Sequence, residues 1–414
     1  MTFSPEDLRH RLLPILLAQG VGLACGIASV QLTSHLVAPA DFGLYGVFVS
    51  LASVGAGVIY AGLVKFVSRH WRDTTDRAGL IREILAATLR RIPWLILASA
   101  LAGWMLPARP SLSFGALFFG CALLLAFMQL AQSALQAARE HWRDLGVAAT
   151  TSVTRSFTPP LLYAASGLGL TALLAGFFLQ ALVGASLGAL AVRRWWPSPA
   201  AGTSAKILTP VYDGPQFVAL ALAGWMLAGL NRWLVAWLFG PEAAGYFTLA
   251  GNIGLILPSM LGMVILQYFQ PLWFAANPAT PDERRRLLAQ VDRVALVYTV
   301  LAVGLAAVLH RAMPLLVGTL VSPRYAEAAR FVFVTGCATT SLTVGFYYHA
   351  LLLAARRERA CSTVDLGGGA CLMAGSMLSI AGGMEWFRLW LAFSPLVPWA
   401  VNRTLARRAL LASA

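Results

Sequence analysis

The chain has 414 residues, 58% of them hydrophobic and only 12% charged, with a net charge of +14 and a mean hydropathy of +0.71. A soluble globular protein is nearer half apolar and about a quarter charged, so lipid must be the solvent for most of this surface and no room is left for a separate water-soluble domain. The positive charge does not mark nucleic-acid binding, because the lysines and arginines sit in short clusters between apolar runs rather than along one face of a soluble domain.

Twelve apolar runs follow one another, at about 12–35, 43–67, 92–108, 112–137, 145–165 and 168–192, then 214–239, 243–274, 292–317, 327–354, 363–383 and 386–405. A spanning helix needs roughly 20 residues, so the expected fold class is all-α, a polytopic membrane protein of twelve transmembrane helices. The first run, from Leu12, is too long for a signal-peptide h-region and lacks a clear small-residue cleavage site. It carries Gln19 and Gln31 at membrane depth. Between the first two runs, Pro39 cannot continue the helix and Gly43 permits close packing of the next, which predicts a tight outer turn. Lys65 closes the second run, as a positive-inside anchor or as a first contact for an entering headgroup. The basic stretch Arg69–Arg91 reads as lying on an anionic leaflet surface.

In the fourth run Gln129, Gln132 and Gln136 share one face, where amides glue helices together or meet sugar hydroxyls. Arg155 stands about ten residues, roughly 15 Å, into the fifth run. An arginine there costs at least about 3 kcal/mol on insertion scales, so it must face a cavity or a partner. Thr150, Thr151 and Thr154 are partners at hand, and Pro159 and Pro160 are expected to break the helix and free further carbonyls. Ser166 and Gly167 mark the junction to the sixth run, which holds Gln180.

The segment 194–212, rich in Pro, Ser, Ala and Gly, divides the chain into an N-terminal six-helix bundle (1–193), a cytoplasmic linker (194–212) and a C-terminal six-helix bundle (213–414). The halves echo each other at their first outer turns: LVAPADFGLY at 36–45 is matched by LFGPEAAGYF at 238–247, with Leu36, Pro39 and Gly43 answering Leu238, Pro241 and Gly245 at a constant offset. Six helices per half place the two halves in one orientation, related by a pseudo-two-fold along the membrane normal. Transporters built this way bind substrate between the halves and alternate access by rocking them. Asn231 and Arg232 lie near the outer end of helix seven and Asn252 lies in helix eight. His349 in helix ten reads as a packed residue with no acid beside it.

Clusters at Arg9–Arg11, Lys65–Arg91, Arg139–Arg143, Arg193–Lys206, Arg284–Arg293, Arg356–Arg359 and Arg403–Arg408 hold most of the basic residues, against Arg109, Arg311, Arg324, Arg330 and Arg388 in the opposite loops. That asymmetry places both termini in the cytoplasm. The five cysteines show no metal or disulfide spacing and read as small buried hydrophobes. No GxxxxGK[ST] sequence is present, so ATP hydrolysis by this chain is not expected. No acid stands clearly at mid-membrane, so a carboxylate proton relay is not evident.

At these turns the chain resembles the polysaccharide (Wzx-type) flippases of the multidrug/oligosaccharidyl-lipid/polysaccharide exporter superfamily. The carriers of the resemblance are Leu36-Val37-Ala38-Pro39-Ala40-Asp41-Phe42-Gly43-Leu44-Tyr45, the stretch from Asn231 to Gly254, and Tyr325-Ala326-Glu327-Ala328-Ala329 before helix ten. One departure stands out: Asn231 occupies the place where many relatives carry an acid beside the arginine.

The resemblance implies a non-enzymatic flippase without cofactor. Its cargo would be an undecaprenyl-diphosphate-linked oligosaccharide, moved from the cytoplasmic to the periplasmic leaflet of a bacterial inner membrane for O-antigen or exopolysaccharide assembly. Helix seven lines the central cavity in that family, and arginine grips a diphosphate bidentately. Arg155 and Arg232 are therefore the candidate headgroup contacts, with Asn231, Lys65, Gln31 and Asn252 as polar companions. The partners implied are the bilayer and a polysaccharide polymerase and export machinery, with no nucleic acid. Two rivals stand beside this reading: a multidrug-type exporter, expected to carry a mid-membrane acid, and a membrane-embedded glycolipid polymerase or ligase, expected to carry a sizeable outer loop.

Overall fold

A computed structural model describes residues 13–71, 76–105, 112–195, 229–276, 280–355 and 357–411. All regular structure there is helical, with no strand beyond a single bridge between Val317 and Val321. The α-helices of the described residues run in order: α1 (Leu13–Leu36), α2 (Pro39–His70), α3 (Arg77–Met105), α4 (Leu112–Ala137), α5 (His141–Ser166), α6 (Leu170–Val192), α7 (Leu230–Ala276), α8 (Pro281–Leu316), α9 (Ala329–Ala354), α10 (Glu358–Ala381), α11 (Met384–Phe393) and α12 (Arg403–Leu411). Eight stretches among the described residues are long and apolar enough to cross a membrane. The interdomain segment 196–212 and the start of the seventh apolar run lie outside the described residues.

Local chemistry accounts for the ends of these helices. Proline opens α2 and α8, where its missing N–H costs nothing. The start of α8 is a capping box: Thr280 Oγ1 accepts from the Glu283 amide, and the Glu283 carboxylate accepts from the Thr280 amide. Gly167 and Gly169, at φ +67° and +58°, turn the chain between α5 and α6, in the left-handed region that glycine enters without strain. Gly240, at φ 89°, breaks α7 at the second outer turn.

One expectation needs correction. Pro159 and Pro160 do not interrupt α5, which runs unbroken from His141 to Ser166 with both prolines buried. The reason lies in the neighbouring helix: a Cβ on Gly176 of α6 would fall on the Pro159 backbone. That close approach packs the proline-bearing face against bare backbone, and the packing supports the helix through the missing hydrogen bonds.

The chain falls into two compact units, one of Met1–Val37 with Leu51–Leu222, the other of Ala38–Ser50 with Ala223–Ala414. In the first, α1 and α6 pack on α5, and α4 packs on α6 and α3. Its core gathers Leu63, Phe66, Trp71, Leu80, Leu135 and Trp195, with the Trp71 and Trp195 rings edge to face. Arg91, the last residue of the basic stretch Arg69–Arg91, is buried and donates to the Ile59 carbonyl of α2 at 2.6 Å.

In the second unit α9 is the central helix. Its span is 72% buried, against 28% for that of α8, and α7, α8, α10, α11 and α12 all pack on it. Aromatic rings fill the surrounding space: Trp273 and Tyr298 each meet Tyr347 edge to face, and Trp399 meets Tyr348. The Tyr298 and Tyr347 hydroxyls donate to the carbonyls of Pro258 and Gly262 on α7.

The two repeated turns meet within this second unit. A Cβ on Gly43 would fall on the Pro241 carbonyl, and a Cβ on Gly245 would fall on the Pro39 carbonyl. Each glycine thus takes the partner's proline at the equivalent position. That reciprocity is what a local two-fold between the repeats produces.

Candidate functional site

The candidate residues fall into two groups, one in each unit. In the first, Arg155 projects from the middle of α5 and is exposed, while Gln31 is exposed on α1, the helix packed against α5. The threonines around Arg155 are not its partners. Thr151 Oγ1 donates to the Val147 carbonyl at 2.6 Å and Thr154 Oγ1 to the Thr150 carbonyl at 2.9 Å, the inward back-bonding habit of hydroxyls on helices. Among the described residues no hydrogen bond or ion pair holds the Arg155 guanidinium. It is a cation placed at mid-helix and left available to something else. Lys65 lies on α2, and its side chain falls outside the described set.

At the foot of this unit Gln136 Nε2 donates to Asp144 Oδ2 at 3.0 Å, joining α4 to α5 and supporting the structural reading for at least this glutamine. Burial raises the Asp144 carboxyl above its ordinary range, and the Gln136 amide offsets part of that shift.

In the second unit Arg232 lies against Gly251 across the break in α7, with Asn231 and Asn252 as the respective chain neighbours. Asn231 is buried and its Oδ1 has no hydrogen-bond partner. Arg232 is half-buried, with Nη2 3.5 Å from where a Cβ on Gly251 would stand. The half-buried Asn252 follows directly. Glycine at 251 is what leaves room for the guanidinium against the returning helix. An orphaned buried carbonyl oxygen beside a cation is uncommon, and it stands at the position where the resembled family often has a carboxylate.

A polar centre that the sequence reading missed lies elsewhere in this unit. His349 Nδ1 stands 2.6 Å from Asp365 Oδ2, both side chains nearly buried, so the histidine does have an acid neighbour. Beside it, Tyr348 donates to Asp292 at 2.9 Å and Arg403 pairs with the same carboxylate at 2.8 Å. No local signal marks the pair: only the packing of α9 on α10 brings His349 and Asp365 together.

A family model described as polysaccharide biosynthesis protein matches residues 33–330. A search of curated proteins finds no match. Among solved structures, the MATE multidrug transporter DinF-BH is similar, at 15% identity over 99% of this chain and 97% of that one, with a TM-score of 0.64. A MOP superfamily transporter from Pyrococcus furiosus, described as having a binding pocket of reverse polarity that suggests a different function, aligns at 12% identity over 98% and 96%, with a TM-score of 0.63. An inward-facing multidrug resistance MATE family transporter of the MOP superfamily aligns at 13% identity over 96% of both chains, TM-score 0.61. At such identities the likeness is one of fold.

Proposed function

The chain belongs to the polysaccharide biosynthesis protein family, and from that premise we propose that it is a flippase for a polyprenyl-diphosphate-linked oligosaccharide. It would act in a bacterial inner membrane with both termini in the cytoplasm, carrying the cargo to the periplasmic leaflet for O-antigen or exopolysaccharide assembly. The observation that supports this best is Arg155, exposed at the middle of α5 with no bonded partner among the described residues. A bare guanidinium at that depth is costly without a counter-charge, and a diphosphate supplies two bidentate ones. Gln31 is the proposed amide donor on the same unit, and in the other unit Arg232, with Asn231 and Asn252, is proposed separately as a cation with amide donors to phosphate or sugar oxygens. Lys65 completes the proposed set as a contact for the arriving headgroup.

A second reading, a multidrug-type exporter, draws on the DinF-BH likeness. Organic cations call for an exposed acid, whereas the residues grouped here offer cations and amides. One experiment separates these readings. In a strain depleted of this protein, lipid-linked glycans are extracted and their leaflet is probed with an impermeant glycan-modifying enzyme. Accumulation of shielded, inward-facing oligosaccharide, with loss of surface polysaccharide, is the expected result. Normal exposure with new drug sensitivity would favour the exporter, and exposed but unpolymerised units would favour a polymerase or ligase.

A further inference from the structure

His349, near the end of α9, and Asp365, near the start of α10, are nearly buried, at 8% and 11% side-chain exposure. Two buried polar atoms of this unit lack any hydrogen-bond partner among the described residues: His349 Nε2 and Asn402 Oδ1. Asn402 ends a π-helical turn, Pro398–Asn402, and single π turns of this kind are frequent at functional sites. Its amide abuts Gly368 of α10 and Gly345 of α9. Gly368 is three residues from Asp365 and Gly345 four residues from His349, so the amide stands about one helical turn from the pair on both helices. Three helical segments thus converge on an imidazole, a carboxylate and an amide oxygen. At neutral imidazole the pair carries one negative charge, and at protonated imidazole it carries none.

Charged and titratable groups on the helices of this unit surround the pair. On α9 itself the neighbours are Tyr347 and Tyr348. From α8 come Tyr298 and Asp292, the latter bound to Tyr348 and Arg403. Cys361 of α10 faces the His349 carbonyl, and Arg357 stands at the start of that helix. Arg403 from α12 is held by Asp292. On α11, Glu385 and Arg388 pair with each other. On α7, Arg232 and Glu242 lie at the opposite end from Gly262, the residue that receives Tyr347.

We propose that His349 and Asp365, with Asn402, form a buried proton-binding site whose occupancy sets how α9, α10 and the π turn pack. A charge change in a low-dielectric interior is answered by rearrangement of the dipoles around it, and the orphaned Nε2 and Oδ1 are the groups free to rearrange. In a transporter such a site couples proton binding to the cycle. That last clause rests on the transport reading, whereas the site itself does not.

The test uses the full chain in nanodiscs without cargo, so its failure is distinct from failure of the flippase reading. Histidine is labelled with 15N and its six imidazoles are followed from about pH 5 to about pH 8, where imidazoles change charge. One of them is expected to change protonation, to be lost in His349→Gln, and to titrate at a displaced pH in Asp365→Asn. If His349→Gln does not fold, Asp365→Asn carries the assignment. Asn402→Ala, which keeps both titratable groups, should displace the same signal by less. An imidazole that holds one form across the range, or that titrates unchanged in both Asp365→Asn and Asn402→Ala, overturns the proposal.

Discussion

Arg155 is tied to no other side chain among the described residues, so replacing it should leave folding intact while removing a contact to cargo. A hydrogen bond to a charged group contributes about 1.5–3 kcal/mol, which corresponds to a loss of about 10- to 100-fold in export for Arg155→Ala. Arg155→Lys keeps the charge but loses the fork and should fall between. Transfer of labelled lipid-linked oligosaccharide in vesicles reads this directly, and native rates in Arg155→Ala would remove the residue from the site.

Asp144 presents the reverse case, a charge that the fold resists. Its carboxyl is raised by burial, so the folded state binds its proton more tightly than the unfolded chain does. Stability is therefore lost as pH rises from the ordinary carboxylate range through the folded value. Asp144→Asn should raise the Tm at neutral pH, and the gain should vanish in acid, where the native carboxyl is already protonated. An equal gain at all pH values would point instead to packing. Arg155 was legible in the sequence because a charge inside an apolar run declares its own cost. The His349–Asp365 pair was not, because recognising it requires the register of two helices.

At the scale of the helix, the prolines of α5 show how a neighbour overrides local propensity. A sequence reading assigns Pro159–Pro160 a break, since each proline removes a backbone hydrogen bond and crowds the preceding turn. What it cannot see is Gly176, on the next helix, whose missing side chain lets α6 lie directly on the Pro159 backbone. Gly176→Val should be costly, by about 1–3 kcal/mol as for other overpacked cores, and should lower the Tm of the purified protein. Gly167→Ala offers a control, because nothing crowds that position and only its left-handed backbone opposes the change. Equal stability of native protein and Gly176→Val would mean that the two helices do not rely on this contact. The capping box at Thr280, by contrast, was available in the sequence from its spacing alone, since every group in it is local.

For the molecule as a whole, the repeat carries the architecture, and the reciprocal glycine contact is where the repeat becomes physical. Two ten-residue segments matched in sequence by spacing and by the placement of Pro and Gly, and a pattern of that kind predicts a turn in each half without saying that the turns touch. The structure adds that Gly43 lies on the Pro241 carbonyl and Gly245 on the Pro39 carbonyl, so the residues that make each turn tight also make the pair fit. A backbone oxygen cannot swing aside as a side chain does, so even a methyl group at either glycine must push the turns apart. Gly43→Ala and Gly245→Ala should each lower stability by about 1–3 kcal/mol. Because both substitutions open the same contact, the double variant should cost clearly less than the sum of the two. Thermal unfolding of the four proteins in one detergent completes the cycle. Strict additivity would show that the turns are stabilised separately, and the local two-fold would then be a feature of sequence descent rather than a contact that holds the second unit together.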